Sequence, residues 1–455
     1  MHIVIVGGGK VGKELATNLS TKKQSVVVVE KDPERVKELK KTLGDILVLN
    51  EDGANMATLT KAKIRQANIF IAVTQIDELN LMTCMMAKKV KVPVTIARVR
   101  NPEGMNNIAD TGFTQEEVGV DYIINPEKAL ALEISKMLHY PEAAEIEYFG
   151  RGKVVMIAVT VNQDTGITDC SLTDLPLPPG CIIVGIKRED GSIVVPSGKN
   201  KIRPGDKVYL TGNIKVMREA SWLLHCQETM IKKVAILGGG TIGYNLAAAL
   251  EANSEKRFFT KIIEKDEQRC EELNRSLNKT VVIQGDGTEQ TYFNEEELAE
   301  AEAIVAVTGD DRANIIAALM GQKYGAKKTI CEVTEIGYGS VYKAIGIEDY
   351  VNPHLITASR ILRFTRRGNV QAFSLLREED VEAMELILPE ACNVSNKKIE
   401  NAGFPKGMLI GAIIRGDDII IPHGETVLKP DDHLIIFTLT KLTNKLDRFF
   451  CKNGR

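Results

Sequence analysis

Short runs of β-branched and aliphatic residues alternate along the chain with longer stretches in which apolar positions recur every three to four residues. That alternation is the mark of parallel strands covered by helices on both faces. The runs predict strands at 2–6, 25–30, 46–49, 69–73, 94–98 and 121–124, and again at 233–237, 260–264, 281–283, 303–307, 329–333 and 349–351. The second set repeats the first. Ile3-Val4-Ile5-Val6-Gly7-Gly8-Gly9 returns 231 residues later as Val234-Ala235-Ile236-Leu237-Gly238-Gly239-Gly240. The offset is 234 for Glu30 and Glu264, Asp52 and Asp286, Thr74 and Thr308, and Asn80 and Asn314. It shortens to 227 for Asn125-Pro126 and Asn352-Pro353 and for Gly180 and Gly407. Register kept over such spans means two copies of one unit, each too long for a solenoid repeat and long enough for two small domains.

The second part of each copy reads differently. Turn punctuation at Pro178-Pro179-Gly180, Glu189-Asp190-Gly191 and Pro204-Gly205-Asp206, matched by Pro405-Lys406-Gly407, Gly416-Asp417-Asp418 and Pro430-Asp431-Asp432, predicts a small α+β module with hairpins. Helical segments follow Pro126 and Pro353, the first with Leu130, Ile134 and Leu138 at spacing four. Two readings fit them: docking on another domain or subunit, or an internal core helix. The expected division is 1–138, 139–228, 229–366 and 367–455, a parallel-sheet α/β domain and a small α+β domain, twice.

Composition narrows the function. The chain has 455 residues, 44% of them hydrophobic, enough for several cores. Its 58 Lys and Arg against 61 Asp and Glu give a net charge of -3, so no global positive field attracts nucleic acid. No run approaches the ~18 to 20 apolar residues of a bilayer span, and the opening His2 to Val6 is a strand pattern without secretory-signal features. A cytoplasmic location is expected. Cysteines 84, 170, 181, 226, 270, 331, 392 and 451 are scattered without a Cys-x-x-Cys pair, so reduced thiols are expected, with neither a metal site nor a disulfide framework.

Gly7-x-Gly9-x-x-Gly12, with Gly8, Lys10 and Val11 between, follows a strand and opens a helix; Gly238, Gly239, Gly240, Thr241, Ile242 and Gly243 do the same. In this Rossmann-like context the first glycine allows a tight turn, the second lets backbone approach a pyrophosphate, and the third lets helix pack on strand. Glu30 and Glu264 end the second strand of each copy, where a carboxylate accepts the hydroxyls of an adenosine ribose and repels a 2′-phosphate. NAD or another adenine nucleotide is expected over NADP. Asp52-Gly53 and Asp286-Gly287, after the third strand, fit an adenine contact and a helix cap equally. Val73-Thr74 and Val307-Thr308 close the fourth strand at the ligand edge, ahead of Asp77 and Asn80 or Asp311 and Asn314, where capping also explains the aspartates. Arg98 on the fifth strand aligns with Glu332, and Arg100 with Thr334. With inward side chains, site one prefers more anionic ligands than site two; a surface salt bridge is the other reading.

The sequence shows no Ser or Cys nucleophile signature, and none of the histidines at 2, 139, 225, 354, 423 and 433 falls at a strand end facing a nicotinamide. A short turn-rich module stands where a catalytic domain would be, which suits a sensor rather than an enzyme.

Together, the glycine loop, strand-end Glu, Asp-Gly after the third strand, Thr with Asp and Asn after the fourth, and Asn-Pro after the sixth resemble the RCK (regulator of potassium conductance) or KTN domain. The module that follows resembles the RCK C-terminal domain, and two such pairs in one chain are similar to the TrkA family of peripheral subunits of Trk potassium-uptake systems. The resemblance covers nearly the whole chain. It implies a homo-oligomeric ring of RCK domains at the inner face of the cell membrane. Such a ring binds NAD(H), ATP or ADP and gates a membrane potassium-transport subunit of the TrkH or TrkG kind. The contacts it implies are the two glycine loops, Glu30, Glu264, the Asp52 and Asp286 loops, Thr74, Thr308 and Arg98. Asn50-Glu51 against Gln284-Gly285, and Glu332 in place of a basic residue, set the two sites apart. The alternatives are a soluble NAD-dependent dehydrogenase and a regulatory subunit of another potassium channel or efflux system.

Overall fold

Val26 to Val29, four apolar residues without a polar interruption, are the signature of a strand buried on both faces. In the computed structural model they form an inner strand of a fully parallel sheet. The structure describes residues 1–20, 24–100, 119–161, 167–168, 170–225, 230–252, 258–289, 298, 300–365, 370–375, 381–390, 392–442 and 449–450. The chain divides into two compact units, one of Met1–Ser135 with Ile231–Thr365, the other of Lys136–Met230 with Arg366–Arg455.

In the first unit, the first repeat contributes β1 (His2–Val6), β2 (Ser25–Glu30), β3 (Leu47–Asn50), β4 (Ile69–Ala72), β5 (Val94–Arg98) and β6 (Tyr122–Ile124). Its helices are α1 (Lys10–Ser20), α2 (Pro33–Leu43), α3 (Met56–Lys61), α4 (Asp77–Lys89) and α5 (Pro126–His139). The strand order is β3-β2-β1-β4-β5-β6. Successive connections run in opposite directions from β1, so a crevice opens at the carboxyl ends of β1 and β4, where ligands of such sheets bind. Ile3, Ile5 and Ile69 face one core, and Val4, Val6 and Phe70 the other, as period-two alternation requires.

The second unit takes β7 (Ala143–Phe149), β8 (Val154–Thr160), β9 (Cys181–Lys187), β10 (Ile193–Val194), β11 (Lys207–Asn213) and α6 (Met217–His225) from the first repeat. The second repeat returns to the first unit with β12 (Lys233–Leu237), β13 (Phe259–Glu264), β14 (Val281–Gln284), β15 (Ala303–Ala306), β16 (Lys328–Glu332) and β17 (Tyr350–Val351). Their order, β14-β13-β12-β15-β16-β17, is that of the first sheet. Helices α7 (Thr241–Ala252), α8 (Glu267–Ser276), α9 (Asp311–Lys323), α10 (Gly339–Ala344) and α11 (Pro353–Arg363) accompany them. Strands β18 (Val370–Leu375), β19 (Val381–Ile387), β20 (Met408–Arg415), β21 (Asp418–Ile420) and β22 (His433–Leu439) complete the second unit.

The helix after the second Asn-Pro docks on the first repeat, and the helix after the first reaches the second repeat through Glu127. In α11, Ala358, Ile361 and Leu362 recur at helical spacing and lie in one core with Ile3, Leu15 and Leu19 of the first repeat. Full burial of an Ile or Leu side chain contributes ~1.5 to 3 kcal/mol, so Ile361 and Leu362 make this a structural joint. Leu130 and Ile134 of α5 are also fully buried, and Arg360 Nη2 donates to Ala129 O at 3.5 Å, tying the two helices together. Within the second unit, the five-stranded sheets β10-β9-β11-β8-β7 and β18-β19-β22-β20-β21 share a core that includes Phe149, Met156, Tyr209, Ala412 and Phe437. The expected boundaries at 228/229 and 366/367 lie outside the described residues, as do Cys226 and Cys451. No described helix is long and apolar enough to cross a membrane.

Candidate functional site

Each glycine loop stands at the carboxyl edge of its sheet, and the reasons for its glycines separate cleanly. Gly7 has φ of 104°, and a Cβ there would meet Thr74 N at 2.9 Å. On Gly8 a Cβ would strike Leu39 Cδ1, and on Gly12 it would land on the carbonyl oxygen of Gly7. These three are demanded by packing. Around Gly9 the nearest atom is Arg35 Nη1 at 3.9 Å, and around Gly240 nothing lies within 4 Å, although Gly238, Gly239 and Gly243 are as confined as their counterparts. The middle glycines therefore keep space clear beside the amides that open α1 and α7, where such loops can admit an anion.

Glu30 is buried, and its carboxylate accepts from Gly8 N at 2.7 Å and from Asp32 N at 2.9 Å. Glu264 accepts from Gly239 N and Asp266 N at the same distances. Each glutamate thus fixes its glycine loop, with lone pairs remaining for further donors. In the second repeat Arg269 Nε also donates to Gly239 O at 2.8 Å.

Several expectations about helix caps need correction. Asp52 does not cap α3: its Oδ1 accepts from Ala54 N, and the cap is Asn55, which accepts from Ala57 N. An Asx turn three residues before that cap leaves Asp52 at the turn beside Gly53, where a Cβ would strike Val6. Asp286 bonds Thr288 N and Oγ1, which lowers its carboxyl pKa, and Gly287 lies against Leu237. Asp77 does not cap α4; it accepts from Arg100 N at 2.8 Å. Its counterpart Asp311 accepts from Thr334 N, while Asp310 caps α9.

Strands β4 and β15 stop two residues before Thr74 and Thr308, whose amides are taken by Asn80 and Asn314. Asn80 is fully buried: Oδ1 accepts from Thr74 N and Oγ1, and Nδ2 donates to Thr74 O and to Arg98 O. Asn314 likewise holds Thr308 and Glu332 O. Both asparagines are struts that set the threonines and the fifth strand.

Arg98 is buried, which rules out the surface salt bridge. Its Nη1 donates to Thr74 O at 3.4 Å, its Nε has no hydrogen-bond partner, and burial, with Arg100 nearby, lowers its pKa. Glu332 is equally buried, with Oε2 unpartnered; burial, then Asp311 and Glu127, pushes its pKa up to about 7. Lys10 reaches across to the second repeat, donating to Thr334 O at 3.1 Å and to Glu335 at 2.9 Å.

Two residues escaped the sequence reading. Glu127 and His354 each follow an Asn-Pro at the start of an exchanged helix, so each stands near the other repeat's site. Burial, then Lys10, Arg98 and Arg100, pulls the His354 pKa down to about 4. Glu127 lines a cavity of about 470 Å³ in the second repeat together with Glu332, within the usual range for small-ligand sites. Gly238, Gly240, Thr241, Ile242, Glu264, Asp286, Gly287, Val307 and Thr308 line it as well; Gly239, Gly243 and Asn314 stand behind. The signal was present in the Asn-Pro-x register, but only the exchange of helices gives it meaning. Among the described residues, no group of three or more His, Cys, Asp or Glu could hold a metal ion.

Paired Rossmann-like sheets with glycine loops, joined by exchanged helices and accompanied by paired antiparallel modules, define a tandem RCK-type protein. The TrkA-N domain model matches residues 3–126 and 234–353, and the TrkA-C domain model 156–224 and 383–450. The chain belongs to the TrkA family. It is 31% identical over 457 residues to the Trk system potassium uptake protein TrkA homolog 1 of Methanosarcina mazei, covering 99% of this chain and 100% of that one. To TrkA of Haemophilus influenzae it is 29% identical over 448 residues, covering 97% and 96%. A solved structure described as the GsuK channel bound to NAD aligns with a TM-score of 0.59 and 18% identity over 99% of this chain and 78% of that chain. The GsuK RCK domain gives 0.57 and 18% over 99% and 94%. At that identity the likeness is one of fold.

Proposed function

We propose that the chain is the regulatory subunit of a potassium-uptake system, binding NAD(H), with ATP or ADP as alternative ligands, at both glycine loops. In this reading it acts as a homo-oligomeric ring on the cytoplasmic face of the membrane and gates a separate membrane-embedded transport subunit. It is a regulator, not a catalyst. The four segments 1–138, 139–228, 229–366 and 367–455 serve as its domains. Full-length relatives carrying the potassium-uptake name support the role.

The observation that carries the nucleotide assignment is the empty space at Gly9 and Gly240, which packing does not require. A pyrophosphate beside them meets helix-opening amides, and the adjoining ribose meets Glu30 or Glu264. Asp52 and Asp286 stand at the adenine end; Val73, Thr74 and Arg98, or Val307, Thr308 and Glu332, stand at the other. Binding at one loop is felt by both sheets, because Lys10 and the exchanged helices join them. Titration calorimetry of NADH and ATP into wild type and Gly9→Val tests the assignment. Loss of one set of sites in the variant supports it; unchanged stoichiometry and affinity overturn it.

A further inference from the structure

The second site has a charge problem that its glycine loop does not explain. Glu332 ends β16 with 5% of its surface exposed, lines the cavity, and has a carboxylate oxygen without a hydrogen-bond partner. Glu127 enters the same cavity from α5 of the other repeat. Its Oε1 lies 3.7 Å from Arg100 Nε, and its Oε2 is buried without a hydrogen-bond partner. Arg100 and Arg98 offset part of the Glu127 charge, but Glu332 is buried among carboxylates with an oxygen left over, which is costly unless a donor or a positive charge meets it.

Strand order says where they stand along a bound dinucleotide. Glu264, the ribose ligand, ends β13 on one side of β12; Glu332 ends β16, beyond β15 on the other side. With strands ~4.8 Å apart, the separation is roughly 14 Å across the glycine loop. A dinucleotide whose adenosine rests on Glu264 and whose pyrophosphate lies on the loop therefore extends its nicotinamide half toward β15 and β16.

We infer that the second site selects the oxidised dinucleotide, NAD⁺, over NADH, because Glu332 and Glu127 present two carboxylates to the nicotinamide end, where the oxidised ring carries a positive charge and the reduced ring none. The inference rests on the nucleotide reading of this site. A triphosphate extending the same way would bring negative charge onto the same carboxylates and is disfavoured. The first site lacks this arrangement: Arg98 and His354 occupy the positions of Glu332 and Glu127. The charged groups facing Glu332 are Asp311 on α9 and Glu127 on α5; Arg100 and Arg98 lie beside Glu127, Asp310 shares the lining, and Lys265, the cation of the lining, follows Glu264 at the adenosine end. With its pKa raised to about 7, Glu332 is part-protonated near neutrality, so a cationic ring beside it expels a proton.

The test uses the full-length Gly9→Val protein, in which the first site does not contribute, titrated with NAD⁺, NADH and ADP-ribose at pH 7 in a chelator and in buffers of different ionisation enthalpy. The expected result is NAD⁺ binding at least about tenfold more tightly than NADH, with proton release for NAD⁺ alone. Glu332→Gln should bring the two within about twofold and abolish the proton release, and Glu127→Gln should narrow the gap. NADH binding as tightly as NAD⁺, with ADP-ribose still bound, overturns the selectivity and leaves the nucleotide site standing. Discrimination that vanishes on adding Mg²⁺ assigns the carboxylates to a metal and overturns it too. If none of the three ligands binds, the nucleotide reading of this site falls, and the inference with it.

Discussion

Arg98 and Glu332 end equivalent strands of the two sheets, both are buried, and one is basic where the other is acidic. In each repeat the backbone carbonyl of that residue accepts from the buried asparagine strut, so the two side chains are held at the same place in otherwise matching sites. This exchange, with His354 opposite Arg98 and Glu127 opposite Glu332, gives the duplicated sheets two electrostatically different pockets.

That pair predicts unequal nucleotide preference. The first site should favour ATP or ADP, since a desolvated charge-assisted contact to phosphate contributes ~1.5 to 3 kcal/mol, or roughly tenfold or more in affinity. Arg98→Ala should narrow the gap between the sites in calorimetric titrations with ATP. Equal ATP affinities in the wild type would remove the argument.

The glycines predict a separation of binding from folding. Gly9→Val should abolish binding at the first loop while leaving the thermal midpoint close to wild type, because the side chain enters open space. Gly12→Ala should instead destabilise the first sheet by ~1 to 3 kcal/mol in denaturant unfolding, since its Cβ would collide with Gly7 O.

Glu30 has two roles, and its removal should show both. Glu30→Ala should relax discrimination against NADP, as repulsion of the 2′-phosphate disappears. It should also weaken NADH, because Gly8 N loses the acceptor that fixes the loop. A variant that rejects NADP as fully as wild type assigns that preference to another group.

Glu332 predicts a pH dependence of stability. Its folded-state pKa of about 7 lies above the ordinary carboxyl value of 4.5, so the folded state binds the extra proton between those values. Stability contributed by this group is full below the ordinary value and is lost as pH rises through about 7, by up to about 3 kcal/mol. His354, lowered from 6.5 to about 4, acts oppositely, contributing stability that is lost as pH falls. Comparing denaturant unfolding of wild type and Glu332→Gln from pH 5 to 8 isolates the first effect. The variant should gain relative stability toward pH 8, and parallel profiles would contradict the assignment.

The strands, the duplication and the glycine loops were legible because they depend on local patterning: period-two burial, repeated register, and glycines fixed by contacts a few residues away. What sequence did not reveal depends on distant partners. Asp52 and Asp77 fit a cap pattern, yet Asn55 occupies the capping position of α3, and Asp77 is engaged by Arg100 N. The role of Asn80 in holding Thr74 and Arg98 O likewise depends on a strand that its own sequence neighbours do not reveal. Glu127 was invisible as a site residue because its pocket belongs to the other repeat, which only helix exchange brings to it.

Linkage offers the most direct test of the central claim, that nucleotide binding biases a potassium pathway. For coupling of ~1 to 3 kcal/mol, the membrane partner must change nucleotide affinity by the same factor by which nucleotide shifts the partner between its states. The measurement compares nucleotide affinity of the free protein with that of its complex with the membrane subunit, while potassium flux through the complex is recorded over the same nucleotide range. The account predicts affinities that differ about fivefold or more between free and complexed protein, with flux that follows site occupancy. Identical affinities, or flux that ignores nucleotide while both sites are filled, would contradict it.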